Sequence, residues 1–417
     1  MKRRKNDGSF ITSILLILII LIFSLTVYFC LDVFGIITVP AKYSIASLFY
    51  SHIDVIATQG QIVTEEVFPQ NTIDTSNKNI VEYTETEKNT EIVVELNSNE
   101  PIPNPIEELE RLQEERRKEQ ERNKQEQITN AEKFYYNQLD EYGKIIYDKL
   151  FLNIEKLKTG TYTAEYDMTF DELLHQENGS EILNNSFQLA INALTFDNPE
   201  LFYIDITKIN LITEITTRAF STTYRISIGG NGKSYLSNDF SSFEAVIGAV
   251  ELVNTAKSDI IALTKENDVE NLKIVHDYLV NNLEYDTEYT ASSGKNSYNV
   301  YGALINKRAV CEGYARAYKS IMDDLGIPCI IACGIGKNNS GATESHAWNY
   351  VYINENWYAI DVTWDDPVII GNGSISDDIK YRYFLKGADQ FFTDHFENGN
   401  IAGEYSFEYP MLSSTNY

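Results

Sequence analysis

The sequence predicts an α+β fold, and three observations predict it. From residue 134 the chain has the periodicity of helices, strands gather toward its end, and residues 345–364 read as an antiparallel hairpin. Helices that precede strands, rather than alternating with them, argue against a wound parallel sheet. At 417 residues, two domains with appendages are expected, and no internal repeat is visible.

The elements follow in chain order. Residues 1–9 carry Lys2, Arg3, Arg4 and Lys5 against Asp7, a net charge of 4 − 1 = +3. The formal total is −27, so the remainder carries −30. A body this acidic with no visible basic patch excludes nucleic acid as a partner and favours cationic ones. Residues 10–30 contain no charged side chain, and as a helix they would span about 31 Å. The basic cluster before them places 1–9 in the cytoplasm and the rest of the chain outside it, in a single-pass arrangement. A cleaved signal peptide is the alternative, but the nearest cleavage-like sequence, Ser44-Ile45-Ala46, is a poor one. Residues 57–105 are polar, with Pro101, Pro103 and Pro105, and 31–105 reads as an extended or disordered stalk. Residues 107–133 mix nine acidic with seven basic residues and too few apolar ones for a coiled coil. Residues 106–133 are therefore expected as a solvated helix held by i,i+4 pairs.

Two α+β regions are expected beyond it, over 134–255 and 256–417. In the first, helices are expected over 134–157 and through Phe187, Ile191 and Leu194, ending before Pro199. Strands are expected at 201–211 and 222–228, with Gly229–Gly232 turning the second into a hairpin. A helix near 241–266 spans the boundary between the two regions, and in the second a helix near 268–284 leads to a helix from Cys311. Strands near 328–335, 345–353 and 357–364 follow, with 336–344 as a connecting loop.

The Cys311 helix carries the chemistry. In AVCEGYARAYKSIMDDLGIPC, Cys311, Ala315, Tyr318, Met322 and Leu325 fall at spacings of 4, 3, 4 and 3, one helical face, and Gly326 and Pro328 stop it. The cysteine thus begins a buried helix. Helix N-termini carry partial positive charge and unpaired N–H groups, which stabilise a thiolate and can donate to an oxyanion. Gly313 and Ala315 leave room beside the sulfur. The other cysteines offer no competing chemistry. Cys30 lies at the expected membrane. Cys329 and Cys333, four apart in a strand, would sit about 13 Å from each other, too far for a disulfide. Two further zinc ligands are missing, so both read as small buried apolar residues.

A base is available on the hairpin. With a two-residue turn at Asn354-Glu355, paired residue numbers sum to 709, His346 faces Thr363, and Asp361 is the diagonal neighbour of His346. Asp365 has the same parity and is the other candidate acid. His52, His175, His276 and His395 have no comparable acidic partner on a predicted strand and read as packing residues. Trp348, Trp357 and Trp364 read as core or cleft wall.

The segments AVCEGYARAY and SHAWNYVYINENWYAIDVTWDDP, with DNPELFYID and IVHDYLVNNLEYD before them, resemble the transglutaminase-like superfamily in its bacterial branch. The resemblance implies a papain-like α+β core with the nucleophile at a buried helix start and His and Asp on neighbouring antiparallel strands. Carried over by position, the catalytic residues are Cys311, His346 and Asp361, which selects Asp361 over Asp365. It implies acyl transfer through a thioester on Cys311, forming isopeptide bonds or hydrolysing amides of extracytoplasmic protein or peptide substrates, with the cell envelope as one source of them. A cysteine peptidase or amidase and a non-catalytic binding module are the alternatives. No metal or organic cofactor is implied, and no EF-hand-like loop is present. One departure is plain. Animal transglutaminases use a tryptophan upstream of the nucleophile to stabilise the oxyanion, and all three tryptophans here follow Cys311. Tyr298, Tyr301 and Asn299 are the upstream residues available for that role.

Overall fold

The computed structural model describes residues 53–59, 105–218, 221–287, 295–338, 341–367, 376–398, 400–402 and 405–417. The expected cytoplasmic segment 1–9 and spanning helix 10–30 lie outside them. Among the described residues no helix is long and apolar enough to cross a membrane.

Within the expected stalk, Ile53–Gln59 is a strand, β1. It pairs at the edge of a sheet formed later in the chain, Ile53 opposite Thr216 and Gln59 opposite Asn210, a long-range pairing that no local signal reveals. The charged segment is a 28-residue helix, α1 (Pro105–Glu132). Exposed pairs run along it, Arg111–Glu115 (2.7 Å) at the expected i,i+4 spacing and Arg117–Glu114 (2.8 Å) at i,i+3. Its C-terminal end is not solvated all round, since Ala131 is buried and Lys124 pairs with Asp268 at 2.7 Å.

Helix α2 (Glu141–Phe151) starts at Asp140, whose carboxylate accepts from the Gly143 N–H. After β2 (Ala164–Asp167), helix α3 (Gly179–Asp197) ends before Pro199 as expected. The next stretch differs from the sequence reading. Pro199–Leu201 and Ile206–Lys208 are short 3₁₀ turns, the second capped by Asp205 accepting from the Thr207 N–H at 3.2 Å. Strand β3 therefore begins only at Asn210 and runs to Arg218, pairing with β4 (Ser221–Gly229) in register Asn210↔Gly229. The hairpin connection thus precedes β4. Asn231 and Gly232, both at positive φ, turn the chain away after it. The first sheet is antiparallel, in order β1-β3-β4-β2.

Helices α4 (Phe243–Ile261) and α5 (Asp268–Asn282) are capped by Ser242 and Asn267. Two short parallel strands, β5 (Glu284–Tyr285) and β6 (Arg308–Ala309), flank the approach to α6 (Cys311–Asp324). Every residue from Gly313 to Met322 is buried, so α6 is enclosed on all sides rather than along one face. Its buried cations are paired accordingly. Arg316 donates to Glu312 (2.8 Å) and to the Thr195 carbonyl, and Lys319 reaches Asp323 (2.9 Å) and the Cys329 carbonyl (3.1 Å). Gly326, at φ +64, ends the helix as predicted, with Ile327 N–H bonded to Met322 C=O and Gly326 N–H to Asp323 C=O.

Strands β7 (Cys329–Lys337), β8 (Thr343–Ile353) and β9 (Asn356–Ile360), with β10 (His395–Glu397), form a second antiparallel sheet in order β10-β7-β8-β9. The β8–β9 turn is Asn354-Glu355, both at positive φ, and Ile353 pairs with Asn356, the expected register. The β7–β8 connection is shorter than the predicted loop, because β7 extends through Lys337 and β8 starts at Thr343. Helix α6 packs on this sheet. One apolar core runs from Tyr135 through Ala317 to Phe407, without a break at the expected 255/256 boundary.

Candidate active site

The start of α6 lacks the side-chain cap that three of the other helices have, a lack it shares with α3. Asp140, Ser242 and Asn267 cap α2, α4 and α5 with side-chain oxygens, but Val310 precedes Cys311 and offers none. The first amides of α6 are left without a side-chain acceptor. The segment before it is fixed by Val310 N–H to Ser297 C=O (2.9 Å) and Asp286 N–H to Ala309 C=O (2.9 Å). Gly313 does not make room for the sulfur, as the sequence suggested. A Cβ there would lie 2.3 Å from the Ser297 carbonyl oxygen, so this glycine lets that backbone close on the helix. Cys311 itself is partly exposed.

His346 projects from β8, opposite Gly334. It does not face Thr363 across a ladder, because β8–β9 pairing ends at Asn349↔Ile360 and Asp361 N–H turns to the Tyr383 carbonyl (3.2 Å). The carboxylate still arrives, with Asp361 Oδ2 2.7 Å from His346 Nε2. Nε2 is thereby engaged, which leaves Nδ1 for the Cys311 thiol that interacts with the ring. Trp364 stacks on the imidazole at 4.9 Å and 27°, and the close approach of its indole is why position 336 is glycine. Trp364 is thus a cleft wall, whereas Trp348 is core, 1% exposed.

Burial and charge compete at each group. Burial draws the His346 imidazole down, but Asp361 and the thiol outweigh it and raise it to about 10. At Asp361 burial pushes up, yet His346 and His395 prevail and hold the carboxyl well below the usual range. Two backbone donors, Thr363 N–H (3.0 Å) and Trp364 N–H (3.2 Å), share its Oδ1. At Asp365 burial wins and raises the carboxyl to about 6, against the His276 imidazole and the Tyr383 N–H. Burial also pushes the Cys329 and Cys333 thiols far up.

Asp365 is not joined to His346. It pairs with His276 on α5 at 3.0 Å and accepts from the Tyr383 N–H at 2.8 Å. His276 and His395, read from sequence as packing residues, are thus both bonded to buried carboxylates; His395 Nε2 lies 3.1 Å from Asp361 Oδ2. Their partners are 89 and 34 residues away, and no local pattern links them. The oxyanion candidates also narrow. Asn299 is spent on Phe202 C=O, Asn296 and the Gly302 N–H, and Tyr301 stacks on Phe202. Tyr298 is half-buried on a 3₁₀ turn. Tyr285 was missed; burial and then the neighbouring Cys311 and Glu344 push its hydroxyl up. Donor atoms of His346, Asp361 and His395 lie within 4.8 Å of one another, a spacing that suits a cation, but the hydrogen bonds above already account for it.

Residues 256–362 match the family model of the transglutaminase-like superfamily. Kyphoscoliosis peptidase of Mus musculus is 25% identical over 152 residues, 34% of this chain and 23% of that protein. The Homo sapiens protein is 25% identical over 159 residues, 34% and 24% of the two chains. The chain therefore spans about a quarter of the length of these relatives. Among solved structures, the periplasmic domain of TgpA from Pseudomonas aeruginosa aligns at 14% identity and TM-score 0.22, covering 36% of this chain and 60% of that one. The core described above is transglutaminase-like, and over residues 256–362 the chain belongs to the transglutaminase-like superfamily.

Proposed function

We propose that this protein cleaves amide bonds of protein or peptide substrates through a thioester on Cys311, with His346 as the proton carrier and Asp361 as the group that orients it. The observation that carries the reading is one arrangement. A partly exposed thiol at an uncapped helix start meets an imidazole whose far nitrogen is held at 2.7 Å by a buried carboxylate. The Cys311 thiolate attacks the amide carbonyl carbon, and the oxyanion is met by backbone N–H groups at the start of α6. His346 Nδ1 gives its proton to the departing nitrogen, the C–N bond breaks, and a thioester remains. Water, or a primary amine, then attacks that thioester and yields a proton to His346. The thiolate leaves, and the product is a carboxylic acid or a new amide. Asp361 keeps Nε2–H in place and stabilises the imidazolium at both stages.

Hydrolysis is the primary reading, in keeping with the peptidase named among the relatives. Transfer to an amine is supported by the family match alone. The chain is incubated with a glutamine-containing peptide and a labelled primary amine, and ammonia, peptide fragments and incorporated label are counted. Peptide fragments or ammonia without label support hydrolysis, and label incorporation supports transfer. No product from the wild type under any of these readouts would favour a non-catalytic binding cleft. We also infer that residues 10–30 anchor the chain in a membrane with the catalytic region outside the cytoplasm, on the charge-free run and the basic cluster before it.

A further inference from the structure

Beneath His346 lies a histidine that the steps above leave without a part. His395 is 0% exposed. Its Nε2 lies 3.1 Å from Asp361 Oδ2, the oxygen that also takes His346, and its Nδ1 lies 2.8 Å from Asp394 Oδ1. Asp394 in turn accepts the Tyr383 hydroxyl at 2.7 Å and has Arg382 at 3.9 Å. The ring has no freedom to turn away. Phe391 stacks on it at 4.0 Å and 20°, and Trp364, Tyr383 and Trp348 stand 4.5, 5.1 and 5.1 Å from it.

An ionised carboxylate only accepts hydrogen bonds. Both flanking carboxyls are held below their usual range although burial opposes this, and His395 is among the causes at each.

We propose that His395 is a positioning residue of this site, whose two ring nitrogens tie Asp361 to Asp394 and so fix the Asp361 carboxylate whichever protonation state His346 adopts. This rests on the Cys311–His346–Asp361 reading. During the cycle His346 gives up its proton, and Asp361 alone would then be a buried carboxylate with no cation beside it. His395 keeps it hydrogen-bonded. It also masks Asp361 from the thiolate, so that the second negative charge of the site does not oppose the first. His395 is faced by Asp361, Asp394, His346 (5.6 Å between rings) and Tyr383, with Arg382 acting through Asp394. His346, Tyr285 and Cys333 lie around the thiol. Removing the His395 ring takes a hydrogen-bond partner from Asp361 and leaves that buried anion less compensated, which disfavours the thiolate.

The test compares the full chain with its His395→Gln, His395→Phe and Asp394→Asn variants. Iodoacetamide alkylation of Cys311 is followed against pH. The acid-side midpoint is expected to rise by about one pH unit in both His395 variants, roughly tenfold slower alkylation on that limb, and by less in Asp394→Asn. Gln keeps a donor to Asp361, so His395→Gln should retain more turnover than His395→Phe. In the wild type, imidazole ¹⁵N spectra should show both ring nitrogens of His395 engaged in hydrogen bonds. An unshifted alkylation profile in folded His395→Gln and Asp394→Asn, or a His395 ring nitrogen free of hydrogen bonds in the wild type, overturns the proposal. Should both His395 variants fail to fold, Asp394→Asn and the wild-type spectrum decide. Full turnover in Cys311→Ala would instead sink the parent reading. An inactive Cys311→Ala with an unshifted His395→Gln profile would sink this inference alone.

Discussion

Asp361→Asn is the substitution that bears hardest on the account. The side chain keeps its shape, and the Asn oxygen can still accept from Thr363 N–H and Trp364 N–H. Its amide nitrogen then stands where Oδ2 accepted from His346 at 2.7 Å and from His395 at 3.1 Å. Two buried donors lose their acceptor and meet a third donor. Breaking a buried pair in this way costs roughly 3–5 kcal/mol of stability. The loss to turnover is larger, because His346 can present the wrong tautomer to the thiol, and an effect of about 10⁴ in kcat is expected. The pH dependence follows with a definite sign. The His346 imidazole is raised from 6.5 to about 10 in the folded protein, so its contribution to stability is full below about 6.5 and is lost as pH rises through about 10. Urea denaturation between pH 7 and 10 should show that decline in the wild type and a flatter one in Asp361→Asn. Asp361→Asn with kcat within tenfold of wild type, while still folded, would refute the role given to the carboxylate.

The other predictions concern neighbouring groups. Asp365→Asn should lower the melting temperature, because it breaks the buried pair with His276, yet leave kcat within a few-fold; a larger loss of kcat than in Asp361→Asn would reverse the assignment. Cys311 should alkylate much faster than Cys329 and Cys333 at pH 6–7, since burial raises both of those thiols, and equal rates in the folded protein would exclude a selectively activated nucleophile. Tyr285→Phe should lower kcat by about an order of magnitude with KM little changed if its hydroxyl assists the oxyanion, and an unchanged kcat would return that role to backbone amides alone.

What the sequence revealed, and what it hid, divides by the range of the interactions. The Cys311 helix and its stop at Gly326 were legible because a 3.6-residue period and a left-handed terminator are local signals. The β8–β9 register was legible because the turn Asn354-Glu355 fixes every pair behind it. Asp361 was found by extending that register past its end. It reaches His346 as the first residue beyond the strand, not as a ladder neighbour. The 201–211 segment was misread because apolar residues suit a strand, while Asp205 bonding the Thr207 N–H makes a turn there instead. Strand β1 was hidden because its partner, β3, lies more than 150 residues away. The partners of His276 and His395 are set by packing between α5, β10 and the chain after β9, and a single sequence holds no period that joins them.

The most direct test of the central claim is to look for the thioester itself. The chain is mixed with an activated amide or peptide substrate, quenched in acid within the first turnovers, digested and mapped by mass. The account predicts an acyl adduct on Cys311 that hydroxylamine removes, absent from Cys311→Ala and slow to form in Asp361→Asn. Turnover that persists in Cys311→Ala, or an adduct that maps to Cys329, Cys333 or no cysteine at all, would contradict it.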